Sequence, residues 1–256
     1  MTDKVYLHGK NALIEAVKAE TSGNTGLIEK VFLTAQAETD GKIIGLLQKS
    51  GHKHERVTRE EIESMVGHDA VHQGICALLK SSRIYTPLEE VLQKAKMAST
   101  KPLLVLLDEL QDPHNVGAII RSAAAFGATA ILMPEYDQVQ VTSTVIKTSA
   151  GMVFAIPIVR IGNVNTTLAK LKDGGYWIYG LTGDGETKLH KTSFDADAVL
   201  VIGSEGAGIR EKTLEACDFK LSIDIDPVCE SLNASNAVAV ALYEWNRQTV
   251  LISLEK

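Results

Sequence analysis

Three short polar clusters hold the residue types from which a reaction site can be built. They are Asn115-Val116-Gly117-Ala118-Ile119-Ile120-Arg121, Gly203-Ser204-Glu205-Gly206-Ala207-Gly208 and Ser231-Leu232-Asn233-Ala234-Ser235. Arginine is a fixed cation, and a cation beside a forming oxyanion lowers its energy. Asparagine and serine orient a substrate by hydrogen bonds, and glycine lets a ligand approach the backbone closely. The glycine segment has neither the Lys-Ser/Thr of a P-loop nor a G-x-G-x-x-G dinucleotide fingerprint. Its Glu205 would repel a phosphate, so the loop suits a neutral or cationic ligand.

Each cluster also has a plainer explanation. Asn115 stands where a helix N-cap would, leaving Arg121 as a solvated surface charge. Glu205 can serve as a helix-dipole carboxylate over a tight turn. A cap explains one of Ser231, Asn233 and Ser235, but three polar residues within five exceed that need. Gly117 costs about 1 kcal/mol relative to alanine inside a helix, which points to a use for its smallness. Arg121 follows one turn later, and long helical side chains lean toward the N-terminus. Its guanidinium is therefore expected over Gly117, beside Asn115.

The elements that must carry these clusters alternate from residue 103 onward. Apolar runs at Leu103–Leu107, Thr129–Met133, Tyr176–Leu181 and Ala198–Ile202 read as strands, with shorter ones near Ile156–Val159 and Lys220–Ile223. Helical patterns fall at 115–126, 142–149, 166–172, 208–216 and 233–247. This rhythm predicts an α/β fold with a parallel sheet covered on both faces, whose ligand crevice lies at the strand ends. Residues 5–80 form a smaller α/β block: helices at Gly9–Val17, Gly41–Gln48 and 58–65, strands at Lys30–Thr34, near Arg56-Val57 and at Gly74–Leu79. Thr58-Arg59-Glu60-Glu61 is a capping box for the third helix. The expected division is a domain over 1–82, a linker over 83–101 holding a short amphipathic helix after Pro87, and a domain over 102–256.

Composition narrows the function classes. With 45% apolar and 23% charged residues the 256-residue chain is an ordinary globular protein. No apolar run reaches the roughly 18 residues of a membrane span, and Met1-Thr2-Asp3-Lys4 leads into no signal-peptide core. Cys76, Cys217 and Cys229 have no ligand spacing, which fits a reducing cytoplasm and no structural metal; His52, His54, His68 and His72 likewise lack ligand spacing. The net charge of −6 argues against broad, sequence-blind nucleic-acid binding. Local basic residues remain as candidate phosphate contacts, namely Lys4, Lys10, Lys53, Arg56 and Arg59.

In order and context, the segments Asp112-Pro113-His114-Asn115-Val116-Gly117-Ala118-Ile119-Ile120-Arg121, Gly203-Ser204-Glu205-Gly206 and Ser231-Leu232-Asn233 resemble the three motifs of the SpoU branch of the SPOUT methyltransferases. Upstream, His8-Gly9-Lys10-Asn11-Ala12-Leu13-Ile14-Glu15-Ala16 and His72-Gln73-Gly74-Ile75-Cys76-Ala77 are similar to the substrate-binding domain preceding many of these enzymes, which itself resembles ribosomal protein L30e. The resemblance implies a C-terminal domain with a deep trefoil knot, a homodimer, and methyl transfer from S-adenosylmethionine to a ribose 2′-oxygen of RNA without a metal. The guanosine 2′-O-methyltransferases of large-subunit ribosomal RNA are the subgroup it suggests. By position it implies a donor pocket of Leu181, Thr182, Gly203, Glu205, Gly208, Ile223, Ile225 and Leu232, and a catalytic set of Asn115, Arg121, Glu205, Ser231 and Asn233. Where the family has Ile-Pro-Met-x-Gly before Ser-Leu-Asn, this chain has Ile223-Asp224-Ile225-Asp226-Pro227. Those departures put the donor loop in question and add negative charge beside it. They keep open a catalytically silent RNA-binding protein of the same fold; a transfer-RNA 2′-O-methyltransferase and an unrelated α/β small-molecule enzyme are further alternatives.

Overall fold

Ile75–Leu79 is buried at all five positions and is the strand on which the N-terminal elements are built. The computed structural model describes residues 4–98 and 101–254. In chain order the first elements are β1 (Val5–His8), α1 (Lys10–Thr21), β2 (Ile28–Leu33), α2 (Gly41–Ser50), β3 (His54–Arg56), α3 (Arg59–Val66) and β4 (Ile75–Leu79). The sheet runs β1-β4-β2-β3, with β4 antiparallel to both neighbours and β3 parallel to β2. Strand β1 was not anticipated; only Leu7 of its four residues is buried, too little alternation to register as a pattern. Helix α1 buries Ala12, Leu13, Ala16 and Val17 along one stripe. The capping box forms as expected, with Glu61 N–H donating to Thr58 Oγ1 at 3.2 Å and Thr58 N–H to Glu61 Oε2 at 2.7 Å.

The remaining elements are α4 (Leu88–Met97), β5 (Leu103–Asp108), α5 (Pro113–Ala125), β6 (Ala130–Pro134), α6 (Ser143–Thr148), β7 (Ile158–Ile161), α7 (Val164–Asp173), β8 (Trp177–Leu181), β9 (Thr187–Lys188), β10 (Ala198–Gly203), α8 (Glu211–Glu215), β11 (Phe219–Ser222) and α9 (Ala234–Leu254). Two compact units result. One runs to Tyr85 and takes in Val141–Ala155; the other holds Thr86–Gln140 and the chain from Ile156 onward. Helix α6, expected at 142–149, thus belongs to the first unit, where Ser143 Oγ accepts the backbone N–H of His8 at 2.8 Å.

The second unit contains a seven-stranded sheet, parallel throughout, in the order β7-β6-β5-β10-β8-β11-β9. Strands β5 and β10 are buried at every position. After β5 the chain moves outward through β6 and β7, then returns to build the other side, so the direction of progress reverses between β5 and β10. That reversal is where open α/β sheets bind ligands, beyond the carboxyl ends of the strands. The register brings Asp108 opposite Gly203, and Ile202 opposite both Leu107 and Leu181. The two-residue strand β9 is too short to have shown in the sequence.

Candidate active site

Helix α5 begins at Pro113, one turn earlier than a cap at Asn115 would allow. Asp112 is its N-cap and accepts the N–H of His114 at 2.9 Å, with Pro113 at the position that needs no donor. Asn115 therefore sits inside the first turn, 6% exposed, with its side chain released from capping. Its Nδ2 donates to Glu205 Oε1, and its Oδ1 accepts from Asn233 Nδ2 at 3.0 Å. Asn233 Oδ1 in turn accepts from the N–H and Oγ of Ser235, at 2.9 and 2.6 Å. A carboxylate only accepts, so Glu205 fixes which end of the Asn115 amide faces it. That choice sets the Asn233 amide as well. One residue from each cluster thus joins in a chain of fixed polarity.

The second cluster is a closed loop rather than a helix start. Ser204 and Gly208 exchange backbone hydrogen bonds of 3.1 and 2.9 Å, and Gly208 has φ 70°. A Cβ on Gly203 would lie 2.0 Å from the carbonyl carbon of Gly208, so only glycine fits there. Helix α8 begins at Glu211 instead of 208 because residues 204–208 are spent on this closure.

Above the strand ends lies a cavity of about 420 Å³. Leu181 and Thr182 line it from the end of β8, Gly203, Glu205 and Gly208 from the closed loop, and Ile223, Ile225, Ser231 and Leu232 from the segment after β11. All eight expected pocket residues therefore share one cavity. Of the expected catalytic set, Glu205 and Ser231 line it, and Asn115 and Asn233 attach through Glu205. Arg121 stands apart: it is exposed and makes no hydrogen bond or ion pair among the described residues. It does not join Asn115 in this structure.

The two unexpected aspartates have local partners. Asp224 pairs with Lys188 Nζ at 3.0 Å and His190 Nδ1 at 3.3 Å. The Lys188 hydrogen bond, foremost, holds its carboxyl below the usual range. Lys188 also donates to Ser222 Oγ, which donates to Gly185 O at 2.7 Å, tying β9 to β11 beneath the loop. Asp226 accepts the N–H of Val228 at 3.0 Å in a turn centred on Pro227. Polar bracing thus occupies the segment where the family pattern has proline and glycine. Sequence reasoning missed this bracing, and it missed the pair of Asp108 with Arg210. The one signal for the pair was an acidic residue closing the apolar run Leu103–Leu107.

A polar cleft of about 1280 Å³ lies in the first unit, with Lys10, Arg56, Arg59, His68 and His72 on its walls. Its cations are already engaged: Lys10 with Asp40, Arg56 with Glu38, and Arg59 with Glu63 at 2.8 Å. Hydrogen bonds from these three side chains, more than any other cause, hold the carboxyls of Asp40, Glu38 and Glu63 below their ordinary values. Of the other candidate contacts, Lys4 and Lys53 do not line the cleft. Among the described residues no group of three or more His, Cys, Asp or Glu is placed to hold a metal ion, and no helix is long and apolar enough to cross a membrane.

Comparison with known proteins agrees with this geometry. Residues 102–243 match the SpoU rRNA methylase family, and residues 6–85 match the RNA 2′-O ribose methyltransferase substrate-binding family. A tRNA/rRNA methyltransferase of Synechocystis is 35% identical over 94% of this chain, which spans 62% of that protein's length. The 23S rRNA (guanosine-2′-O-)-methyltransferase of Xylella fastidiosa is 34% identical, covering 96% of this chain and 98% of its own. The AdoMet complex of the SpoU methyltransferase AviRb from Streptomyces viridochromogenes superposes with a TM-score of 0.77 over 96% of this chain and 90% of that one, at 23% identity, and so shares the fold. With two of its motif segments lining one cavity and the first tied to them through Asn115, the chain belongs to the SpoU family of S-adenosylmethionine-dependent RNA 2′-O-ribose methyltransferases.

Proposed function

We propose that this protein methylates the ribose 2′-hydroxyl of a guanosine in large-subunit ribosomal RNA, as a cytoplasmic homodimer. Ribosomal rather than transfer RNA is favoured because the Xylella relative, named for 23S rRNA, is similar across both units. Residues 1–82 would bind the RNA, 83–101 would link, and 102–256 would form the catalytic domain, with the loops after β10 and β11 making a trefoil knot.

The observation that carries the reading is the cavity at the strand ends. Its volume of about 420 Å³ is in the range of small-molecule sites. Leu181, Ile202, Ile209, Ile223 and Ile225 supply an apolar wall for a base. The buried Thr182 Oγ1, which has no partner among the described residues, supplies a polar group for a ligand edge. These features fit S-adenosylmethionine, and the eight residues Leu181, Thr182, Gly203, Glu205, Gly208, Ile223, Ile225 and Leu232 would hold it. When bound, it supplies a methyl carbon made electrophilic by a sulfonium.

The remaining chemistry belongs to the chain. A ribose hydroxyl is a poor nucleophile until its proton is displaced, and an adjacent cation stabilises the developing alkoxide. Arg121, exposed and without a protein partner among the described residues, would supply that cation once RNA docks. Asn115 and Asn233 would orient the ribose through their fixed amide chain, and Glu205 and Ser231 would brace the loops. Positioning of this kind supplies much of the acceleration in such a transfer.

The test is transfer of labelled methyl from S-adenosylmethionine to bacterial RNA lacking its own 2′-O-methylations, mapped by nuclease digestion. Label in an alkali-resistant dinucleotide of 23S rRNA is the expected result. Label confined to transfer RNA would overturn the substrate. No label and no donor binding would overturn the enzymatic reading.

A further inference from the structure

Among the described residues, Asp108 is the only buried carboxylate, with 0% of its surface exposed. A carboxylate removed from water must be paired and hydrogen-bonded, and Asp108 satisfies this through a single residue. Its Oδ2 accepts the backbone N–H of Arg210 at 3.0 Å, while its Oδ1 accepts Nε and Nη2 of the same guanidinium at 3.0 and 2.6 Å. The remaining arm, Nη1, donates to Glu109 Oε1 at 2.7 Å. Glu109 adopts a left-handed φ of 62°, uncommon for a residue with a side chain.

Stability is a weak reason for such a pair, because well-packed apolar residues often replace a buried ion pair without loss. What the pair does supply is geometry. Asp108 closes β5 directly opposite Gly203, where the glycine loop begins, and Arg210 follows Ile209, where that loop ends. Between them Ser204 and Gly208 pinch the loop shut. At the tip, Glu205 is held by Asn115. The loop is thus gripped at its exit and its tip by residues from one β5–α5 segment. Gly203, Glu205, Gly208 and Ile209 all line the cavity, so a shift at Arg210 moves the cavity wall.

We propose that Asp108 and Arg210 are positioning residues for the methyl-donor site, latching the glycine loop at the depth the donor requires. This rests on the reading of the cavity as the donor site. Neither side chain lines the cavity, so both act through the loop backbone. The latch sets donor affinity, and leaves untouched the cation Arg121, which makes no hydrogen bond or ion pair to the loop.

The test is calorimetric binding of S-adenosylmethionine to the full chain, followed by steady-state methyl transfer, for the wild type, Asp108→Asn and Arg210→Gln. Arg210→Gln leaves the buried Asp108 carboxylate without its guanidinium and is the variant more prone to unfold. Asp108→Asn is isosteric, removes the buried charge and leaves a half-exposed Arg210 head that water can solvate, so it keeps the test falsifiable. The expected result for Asp108→Asn, and for Arg210→Gln where it folds, is a tenfold or greater weakening of donor binding and a matching rise in donor KM. At saturating donor, kcat and the KM for RNA stay within twofold of wild type. Donor affinity within twofold of wild type, with only a lowered melting temperature, would overturn the proposal and leave a purely structural pair. A fall in kcat at saturating donor with unchanged donor KM would overturn it too. No binding even to the wild type would overturn the donor-site reading itself, and the latch with it; wild-type binding separates that failure from the others.

Discussion

The first unit's cleft and the second unit's cavity use charge in opposite ways. At the cleft, Lys10, Arg56 and Arg59 are each paired with a carboxylate, of which Asp40 also lines the cleft. The Arg56 and Arg59 side chains are 69% and 73% exposed, and ion pairs in such surroundings contribute little to stability and are screened by salt. Such pairs can exchange a carboxylate for a phosphate at small cost, which suits a surface that receives a long polyanion. In the cavity, backbone and apolar side chains are joined by the carboxylates of Asp184, Glu205 and Glu230, and Glu205 meets an amide. Groups of that kind cannot rearrange without breaking the strand ends. The contrast is between a surface of exchangeable ion pairs and a cavity that has carboxylates but no cation in its lining, which suits a cationic ligand rather than a polyanion.

The sharpest way to break the comparison is to disturb the fixed site. Gly203→Ala places a Cβ 2.0 Å from the backbone of Gly208, where nothing flexible can give way. Donor binding is expected to fall below detection in calorimetry, while RNA retention on a filter stays close to wild type. Retained donor binding would mean that the cavity wall yields after all. The next largest effect is expected at Arg121. Arg121→Lys keeps the charge but loses the planar fork. Donor affinity should hold and turnover should drop by about 10²-fold or more, the cost typical of a lost oxyanion-stabilising group. Unchanged turnover would remove Arg121 from the reaction.

These two residues also show what the sequence could and could not reveal. Gly203 and its cavity neighbours were legible because each lies where an apolar run meets a motif, and strand ends collect ligand sites. The placement of Asn115 was misread, since Asp112 and Pro113 offer an equally good helix start that competes only in three dimensions. Arg121 was expected beside Asn115, yet its side chain is solvated without a partner among the described residues; no local rule decides that. The Asp108–Arg210 latch joins positions 102 residues apart, and the bracing of Asp224 by Lys188 depends on the two-residue strand β9. Long-range pairing and very short strands leave no periodic trace. The grouping of α6 with the first unit was invisible for the same reason, because its helical pattern says nothing about which core it joins.

A smaller effect is expected on the yielding side of the comparison. Arg56→Gln leaves Glu38 with His54 as its remaining partner and removes one candidate phosphate contact. RNA affinity should weaken by a few-fold at low salt, and the difference should shrink as salt rises, since each phosphate contact adds to the salt dependence. Donor affinity should be unchanged. A loss of RNA affinity that persists at high salt would indicate a rigid contact, and the cleft would then resemble the cavity.

The smallest expected effect is on the pH dependence of the first unit, and it comes from a group with no ion partner. His8 closes β1, and its buried Nδ1 has no hydrogen-bond partner among the described residues. Burial is the main cause that lowers its pKa below the ordinary histidine value; a hydrogen bond to the Val71 backbone opposes the shift, and the charge of His72 adds to it. The folded protein therefore releases this proton more readily than the unfolded chain. The linked stability is complete above the unfolded value near 6.5 and is lost as pH falls through the lower folded value. The carboxyls of Glu38, Asp40 and Glu63 are lowered too, so their contribution is present above about pH 4 and lost only below it. Thermal melts of wild type and His8→Asn between pH 7.5 and about 5 isolate the histidine, because the carboxylates stay ionised across most of that window. The wild type should lose about 2 °C or less relative to the variant on going from pH 7.5 to 5. Parallel melting curves would show that His8 is free to ionise in the folded state, and that β1 is as yielding as the charged cleft.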